Sequence, residues 1–146
     1  MAHTDYIKLE LPSKSVNESF ARATLACFAA RLDPTIEELQ DIKTAVSEAV
    51  TNSIVHAYPG VIGTIWIRAK IVDGNTLEIT IKDNGIGIPD VKKAREPLFT
   101  TGGDDRSGMG FTIMESFMDK VRVRSSEGKG TTVFMSRKID RKITKI

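Results

Sequence analysis

The sequence predicts an α+β fold, a two-layer sandwich in which a mixed, mostly antiparallel sheet carries its helices on one face. Three observations predict it. Two pairs of β-rich segments are joined by short turn signals, which is typical of hairpins. Two segments with helical spacing of apolar residues come before the first pair, and a third separates the pairs. Locally paired strands with helices collected between them favour segregated layers.

The N-terminal part is predicted to be a strand followed by two helices. Residues 4–11 alternate apolar and polar side chains, and Pro12 ends this strand. Residues 15–18 predict a capping box for a first helix, whose expected apolar face is Val16, Phe20, Ala23, Thr24, Cys27 and Phe28. Residues 35–38 predict a second capping box, which begins a long helix that reaches about Ala57.

The C-terminal part is predicted to be mostly β. Residues 73–75 are a hairpin signal, and a polar, glycine-bearing stretch extends over residues 83–107. The predicted elements are, in order, strands 64–72 and 76–82, a short helix near 90–95, a helix over 108–118, and strands 121–125 and 131–137.

Composition and charge disfavour several classes of protein. The 146 residues fit a single domain over 1–146, with a basic tail from about 137 to 146. The 21 Lys and Arg against 19 Asp and Glu give a formal charge of +2, so neither direct nucleic-acid binding nor membrane binding is expected. Cys27 is the lone cysteine, no signal peptide is visible and no apolar run could span a membrane, so a cytoplasmic location is expected.

A carboxylate and an amide lie four residues apart in the second predicted helix. Glu48 and Asn52 are therefore neighbours on the helix surface. A carboxylate can act as a general base, and an amide oxygen suits a Mg²⁺ ion that also holds nucleotide phosphates. Taken alone, a solvated glutamate and an ordinary helical asparagine explain the same pair.

An acidic loop with two glycines follows the second strand of the first hairpin. Gly85 and Gly87 allow the backbone to turn tightly and a flat ligand to approach. The carboxylate of Asp83 can accept a hydrogen bond from an exocyclic amine such as that of adenine. A simple turn with an Asx hydrogen bond is the alternative interpretation.

Glycines also begin the third predicted helix, at Gly108 and Gly110, where backbone N–H groups favour a phosphate. The preceding polar segment, residues 99–106, is interpreted as a lid, and Arg106 at its end can reach a γ-phosphate. A solvated loop cation is the alternative for this arginine. Thr131, which begins the last strand, can hydrogen-bond the edge of adenine or merely belong to a hairpin.

In this order, the motifs resemble those of the GHKL superfamily of ATP-binding domains, which includes gyrase-type ATPases, MutL, histidine kinases and anti-sigma serine kinases. Glu48 and Asn52 match its N box, and its glycine boxes match residues 83–87, 108–110 and 128–131. The amino-acid sequences of five segments resemble those of the family of sporulation anti-sigma factors. These segments are residues 18–22, 32–35, 46–52, 97–101 and 106–115.

The resemblance implies a homodimeric anti-sigma factor that binds and inhibits a sporulation sigma factor. It also implies that Mg-ATP is used to phosphorylate a serine of an anti-anti-sigma protein. Glu48 and Arg106 would be catalytic, Asn52 would bind Mg²⁺, and Arg22 and Asp105 would meet protein partners. The resemblance assigns ATP or ADP binding to Asn52, Asp83, Gly85, Gly87, Thr100, Thr101, Ser107, Gly108, Met109, Gly110, Phe111 and Thr131.

Other functions stay open or are disfavoured for stated reasons. A general-stress-type anti-sigma serine kinase shares every box. A nucleotide-gated binding module would keep the fold without catalysis, but it does not need Glu48. A histidine kinase needs a phosphoacceptor histidine on a dimerisation helix, and the histidines here are His3 and His56. A gyrase- or chaperone-type ATPase is disfavoured because no transducer domain follows Ile146.

Overall fold

The computed structural model describes residues 5–95 and 110–139. Its elements are strand β1 (Tyr6–Pro12), helices α1 (Val16–Ala29) and α2 (Ile36–Asn52), strands β2 (Thr64–Val72) and β3 (Thr76–Asp83), helices α3 (Val91–Ala94) and α4 (Gly110–Phe117), and strands β4 (Lys120–Ser125) and β5 (Thr131–Lys138). A 3₁₀ turn, Ala30–Leu32, follows α1, and a π-helical turn, Ser53–Ala57, continues α2. The predicted α+β class is confirmed.

The five strands form one sheet in the order β1-β2-β3-β5-β4, and every described neighbouring pair is antiparallel. The sheet that these strands form is therefore antiparallel rather than mixed. The β2–β3 hairpin turns at Asp73 and Gly74, whose φ angles are 54° and 71°, as its Asp-Gly signal predicts. The register aligns Ile65, Asp83 and Thr131 across β2, β3 and β5, which places the acidic loop at one end of the sheet.

The core lies between the sheet and a layer of helices in which α2 contacts both α1 and α4. Ile42 and Val46 of α2 are fully buried, as are Ile67 and Ile79 of the sheet. Burying one such side chain stabilises a fold by roughly 1.5–3 kcal/mol, so α2 is fixed firmly against the sheet. In the described ranges, no helix is long and apolar enough to cross a membrane.

The two predicted capping boxes have different outcomes. The second is confirmed, because Thr35 Oγ1 accepts a hydrogen bond from the Glu38 backbone N–H at 3.0 Å and the Glu38 carboxylate accepts from Thr35 N at 2.8 Å. The first is wrong, because Ser15 is helical and its side chain makes no capping bond. Glu18 instead accepts hydrogen bonds from Arg22 and Ser47, since a charged donor binds a carboxylate more strongly than a backbone amide does.

The predicted apolar face of α1 is shifted by one residue along the helix. The buried residues are Ala21, Leu25, Phe28 and Ala29. Val16 and Phe20, which were expected to be buried, are 70% and 53% exposed. Small alanines on the buried side allow α1 and α2 to approach closely, and the apolar spacing of this helix does not distinguish its two faces.

Candidate functional site

The Glu48–Asn52 pair lies directly against the first residue of α4. A Cβ atom added to Gly110 would lie 3.3 Å from Glu48 Oε2 and 3.4 Å from both amide atoms of Asn52. The first distance is slightly tighter than ordinary van der Waals contact and the other two are at its lower limit, so a larger residue here would press on both side chains. Two motifs that are distant in sequence therefore meet, and the N-terminus of α4 faces a carboxylate and an amide.

Asp83, the last residue of β3, is 4% exposed and accepts three hydrogen bonds. Its Oδ1 accepts from the backbone N–H groups of Gly85 at 3.0 Å and Thr131 at 3.1 Å. Its Oδ2 accepts from the hydroxyl of Ser53 at 3.1 Å. Burial raises the pKa of Asp83 above its ordinary value, while these three hydrogen bonds oppose the rise.

The loop after β3 is fixed to the end of the π-helical turn. The backbone N–H of Ile86 donates to the carbonyl oxygen of Ala57 at 2.9 Å. A Cβ atom at Gly85 would collide with that same carbonyl, so only glycine permits the contact. Gly87 has a φ angle of 77° and lies against the carbonyl of Ser126. The acidic loop is thus held between the π-helical turn that follows α2 and the β4–β5 hairpin.

The β4–β5 hairpin completes this side of the site through a small hydroxyl network. Ser125 Oγ lies 2.8 Å from Thr131 Oγ1 and 2.9 Å from the carbonyl of Gly130, and it accepts from Ile88 N at 2.7 Å. A Cβ atom at Gly130 would collide with the Asp83 carbonyl. Thr131 is therefore positioned beside Asp83, with its hydroxyl already bonded to Ser125.

Three residues of this arrangement were missed by the sequence analysis. They are Ser53, Tyr58 and Ser125. The Tyr58 hydroxyl accepts a hydrogen bond from Asn84 N at 2.8 Å and donates one to the Thr64 carbonyl at 2.6 Å, so it links the acidic loop to the start of β2. Ser53 alone gave a signal, because a hydroxyl in an apolar helical stripe needs a buried partner.

Several predicted site residues lie elsewhere or outside the described ranges. The side chain of Phe111 is 7% exposed and belongs to the core, so only its backbone can meet a ligand. Arg22 lies at the contact of α1 and α2, where it donates to Glu18 at 2.5 Å and to Ser47 at 3.1 Å. The residues outside the described ranges are Thr100, Thr101, Asp105, Arg106, Ser107, Gly108 and Met109.

The chemistry of the site suits a ligand that bears an amine and an anionic end. Asp83 supplies a shielded acceptor, and Gly110 at the start of α4 lies beside the side chains of Glu48 and Asn52. The expectation that Gly85 and Gly87 leave room for a flat ligand is wrong for their Cβ positions, because the backbone of Ala57 and of Ser126 fills them. In residues 5–95 and 110–139, no group of three or more His, Cys, Asp or Glu could hold a metal ion. The amide oxygen of Asn52 is a hard ligand that would hold a divalent cation here together with water and the ligand's own oxygens, since Mg²⁺ usually keeps several waters and binds substrate phosphates.

Comparison with known proteins first defines the class. Residues 11–137 match the family model described as the histidine kinase-like ATPase domain. The RsbU and RsbW domains of a Mycobacterium tuberculosis protein superimpose on 94% of this chain and 33% of that chain, with a TM-score of 0.68 and 19% identity. The mycobacterial sensor histidine kinase MprB matches 91% of this chain and 98% of its own, with a TM-score of 0.60 and 20% identity. The structural matches concern the fold alone, whereas the family match implies nucleotide binding.

Relatives that are closer in sequence define the particular family. The anti-sigma F factor of Caldanaerobacter subterraneus subsp. tengcongensis is 57% identical over 142 residues, which are 97% of this chain and 99% of that protein. The anti-sigma F factor of Clostridium acetobutylicum is 54% identical over 90% of this chain and 92% of its own. That of Geobacillus kaustophilus is 52% identical over 90% of each. This chain belongs to the anti-sigma F factor family.

Proposed function

We propose that this protein binds and inhibits the sporulation sigma factor F and, with Mg-ATP, phosphorylates a serine on its anti-anti-sigma antagonist. The observation that carries the proposal is the meeting of Glu48, Asn52 and Gly110. It occurs in a chain that is 52–57% identical to proteins named anti-sigma F factor. A carboxylate beside the proposed phosphate-binding end of α4 can accept a proton during phosphoryl transfer, whereas simple binding does not need it.

In the proposed complex, adenine contacts Asp83 and Thr131, and the phosphates extend toward the first turn of α4. The acceptor oxygen of Asp83 suits the exocyclic amine of adenine. Gly85 and Gly87 pack against the carbonyls of Ala57 and Ser126 and so fix the loop that follows Asp83. Asn52 is proposed as the protein ligand of Mg²⁺. The contacts assigned by resemblance within residues 100–109 stay predictions.

The proposed reaction is a direct transfer in which this chain mainly positions and deprotonates. The serine oxygen of the antagonist forms a bond to the γ-phosphorus, and the bond from that phosphorus to the β,γ-bridging oxygen breaks. ADP leaves with the electron pair, and Glu48 accepts the serine proton. Bound Mg²⁺ would neutralise charge on the phosphate oxygens. Arg106 stays a predicted stabiliser of the γ-phosphate.

The outward surface of α1 supports the proposed contact with protein partners. Arg22 is fixed by Glu18 and Ser47, yet its side chain stays 35% exposed. Val16 and Phe20 lie on the same helix and are 70% and 53% exposed. Aromatic and arginine side chains are typical anchors of protein interfaces. The predicted role of Asp105 lies outside the described residues.

The proposed homodimer has its own structural argument. Among the strands that the structure describes, β1 lies at an edge of the sheet and pairs with β2 alone. An uncovered edge strand presents unpaired backbone groups that favour pairing with another chain. We therefore keep β1 as the candidate interface between two copies.

Transcription in vitro tests the anti-sigma half of this proposal. RNA polymerase carrying sigma factor F is assayed with increasing amounts of this protein and Mg-ATP, with a holoenzyme carrying another sigma factor in parallel. We expect inhibition of the first holoenzyme alone, and its reversal by the unphosphorylated antagonist. Equal activity with and without the protein would contradict the proposal, and inhibition of a general-stress sigma factor instead would move it to the related kinase class.

A further inference from the structure

Ser53 occupies an unusual place beside the acidic loop. It is the first residue of the π-helical turn, and its hydroxyl donates to Oδ2 of Asp83 at 3.1 Å. Both residues are 4% exposed, so water does not compete for this bond. Oδ1 of the same carboxylate accepts two backbone N–H groups instead, from Gly85 and Thr131. The two oxygens of Asp83 are therefore occupied differently.

This difference leaves a defined position for a ligand. A carboxylate oxygen accepts about two hydrogen bonds, so the donors within residues 5–95 and 110–139 fill Oδ1 and leave one place on Oδ2. We propose that Ser53 is a positioning residue that sets base specificity: its hydroxyl keeps Oδ2 of Asp83 an acceptor for the 6-amino group of a purine. The protein then selects ATP over 6-oxo purine nucleotides such as ITP. This inference rests on the ATP site proposed above and deepens it.

The charge state of Asp83 explains why the Ser53 hydroxyl should affect selectivity between 6-amino and 6-oxo purines. A protonated carboxyl would donate a hydrogen bond that a 6-oxo group accepts, which would reverse the selectivity. Burial raises the pKa of Asp83 toward that state, and the Ser53 bond lowers the pKa again because it favours the ionised form. Among the described residues, the strand partners and hydrogen-bond donors of Asp83 carry no titratable side chain: Ile65 on β2, Thr131 on β5, Gly85 in the loop and Ser53 itself. The titratable residue of the π-helical turn that packs against β3 is His56.

The test compares ATP and ITP binding by calorimetry, using the full chain and its Ser53→Ala variant. Ser136→Ala is the matched control, since Ser136 is also a buried serine (6% exposed) but lies at the other end of β5. The ratio of the ITP and ATP dissociation constants should fall about tenfold in Ser53→Ala, which is the size of one hydrogen bond to a charged group. The control should keep the wild-type ratio.

A pH series gives a second readout that a merely structural serine would not move. In Ser53→Ala, the acid-side loss of ATP affinity should occur at a higher pH than in the wild type, because loss of the hydroxyl bond raises the pKa of Asp83. Thermal melting of each variant confirms that it is folded before binding is compared.

The outcomes separate this inference from the proposed function. An unchanged nucleotide ratio in Ser53→Ala, or equal weakening of both nucleotides with an unmoved pH profile, overturns the role of Ser53 while leaving the ATP site intact. Failure of the wild-type protein itself to bind ATP would overturn the proposed function, and the selectivity inference with it.

Discussion

The backbone N–H of Thr131 donates to Oδ1 of Asp83 at 3.1 Å, across 48 residues of sequence. The two residues are register partners on β5 and β3, so pairing of these strands fixes the carboxylate. The same register brings Gly130 against the Asp83 carbonyl. Pairing of these strands therefore also assembles the proposed adenine side of the site, and a slip of one residue in the register would separate Asp83 from Thr131.

Asp83→Asn should weaken ATP binding strongly. The amide keeps the shape of the carboxylate, but it replaces one acceptor oxygen with a donor, which repels the 6-amino group of adenine. We predict a loss of about 100-fold in ATP affinity, the order of a hydrogen bond to a buried charge. Calorimetry measures it, with Asp73→Asn in the exposed β2–β3 turn as the matched control. Equal ATP affinities in the two variants would contradict the role of Asp83.

The same substitution should change how stability depends on pH. Burial raises the folded-state pKa of Asp83 above its ordinary value of 3.8, so the folded state holds this proton more tightly than the unfolded state does. The wild type should therefore lose stability as the pH rises from 3.8 through the folded pKa, by about 1.4 kcal/mol for each pH unit that separates the folded pKa from the ordinary value. Asp83→Asn should lack this loss.

Urea unfolding of both proteins across that pH range measures the difference. The free energy of unfolding of Asp83→Asn minus that of the wild type should increase as the pH rises. This difference should become constant above the folded-state pKa of Asp83. A constant difference between the two proteins at every pH would show that Asp83 does not titrate abnormally.

Gly110→Ala should separate nucleotide binding from stability. The added Cβ would press on Glu48 Oε2 and on the amide of Asn52, and so disturb the space at the start of α4. We predict about a tenfold loss of ATP affinity. The free energy of unfolding should change little, because alanine favours the helix by up to roughly 1 kcal/mol relative to glycine and so compensates for the crowding. Ser116→Ala, at the exposed end of α4, is the control. Wild-type ATP affinity in Gly110→Ala would contradict the proposed phosphate position.

Arg22→Ala should weaken partner binding and leave ATP binding unchanged. Arg22 lies at the α1–α2 contact rather than among the residues around Asp83. We predict at least about tenfold weaker binding of sigma factor F and of the antagonist, as expected for an arginine anchor. Surface plasmon resonance measures both, with Arg68→Ala on the exposed outer face of β2 as the control. Unaltered binding of both partners would move the interface away from α1.

Much of the fold and part of the site were predictable, because their signals are local. Strand β2, the Asp73-Gly74 turn and the Thr35 capping box each depend on residues that are close in sequence. The glycine positions were also predictable, since few other residues allow backbone to approach so closely. Gly85 and Gly110 indeed lie where a Cβ atom would meet other groups.

What was missed depends on contacts between distant segments. Glu18 was expected to cap α1, but it binds Arg22 and Ser47 once α1 and α2 pack together. Ser53 and Ser125 acquire their roles only when the sheet register brings Asp83 and Thr131 beside them. Local patterns do not encode such pairings, because hydroxyl hydrogen bonds depend on final distances rather than on spacing.

Transfer of labelled phosphate tests the central claim most directly. The protein is incubated with γ-labelled Mg-ATP and its recombinant anti-anti-sigma antagonist, beside Glu48→Gln and the control Glu37→Gln at the exposed start of α2. We predict label on an antagonist serine with the wild type and the control, and at least about a 100-fold slower rate with Glu48→Gln. ATP binding without transfer by the wild type, or full transfer by Glu48→Gln, would contradict the account.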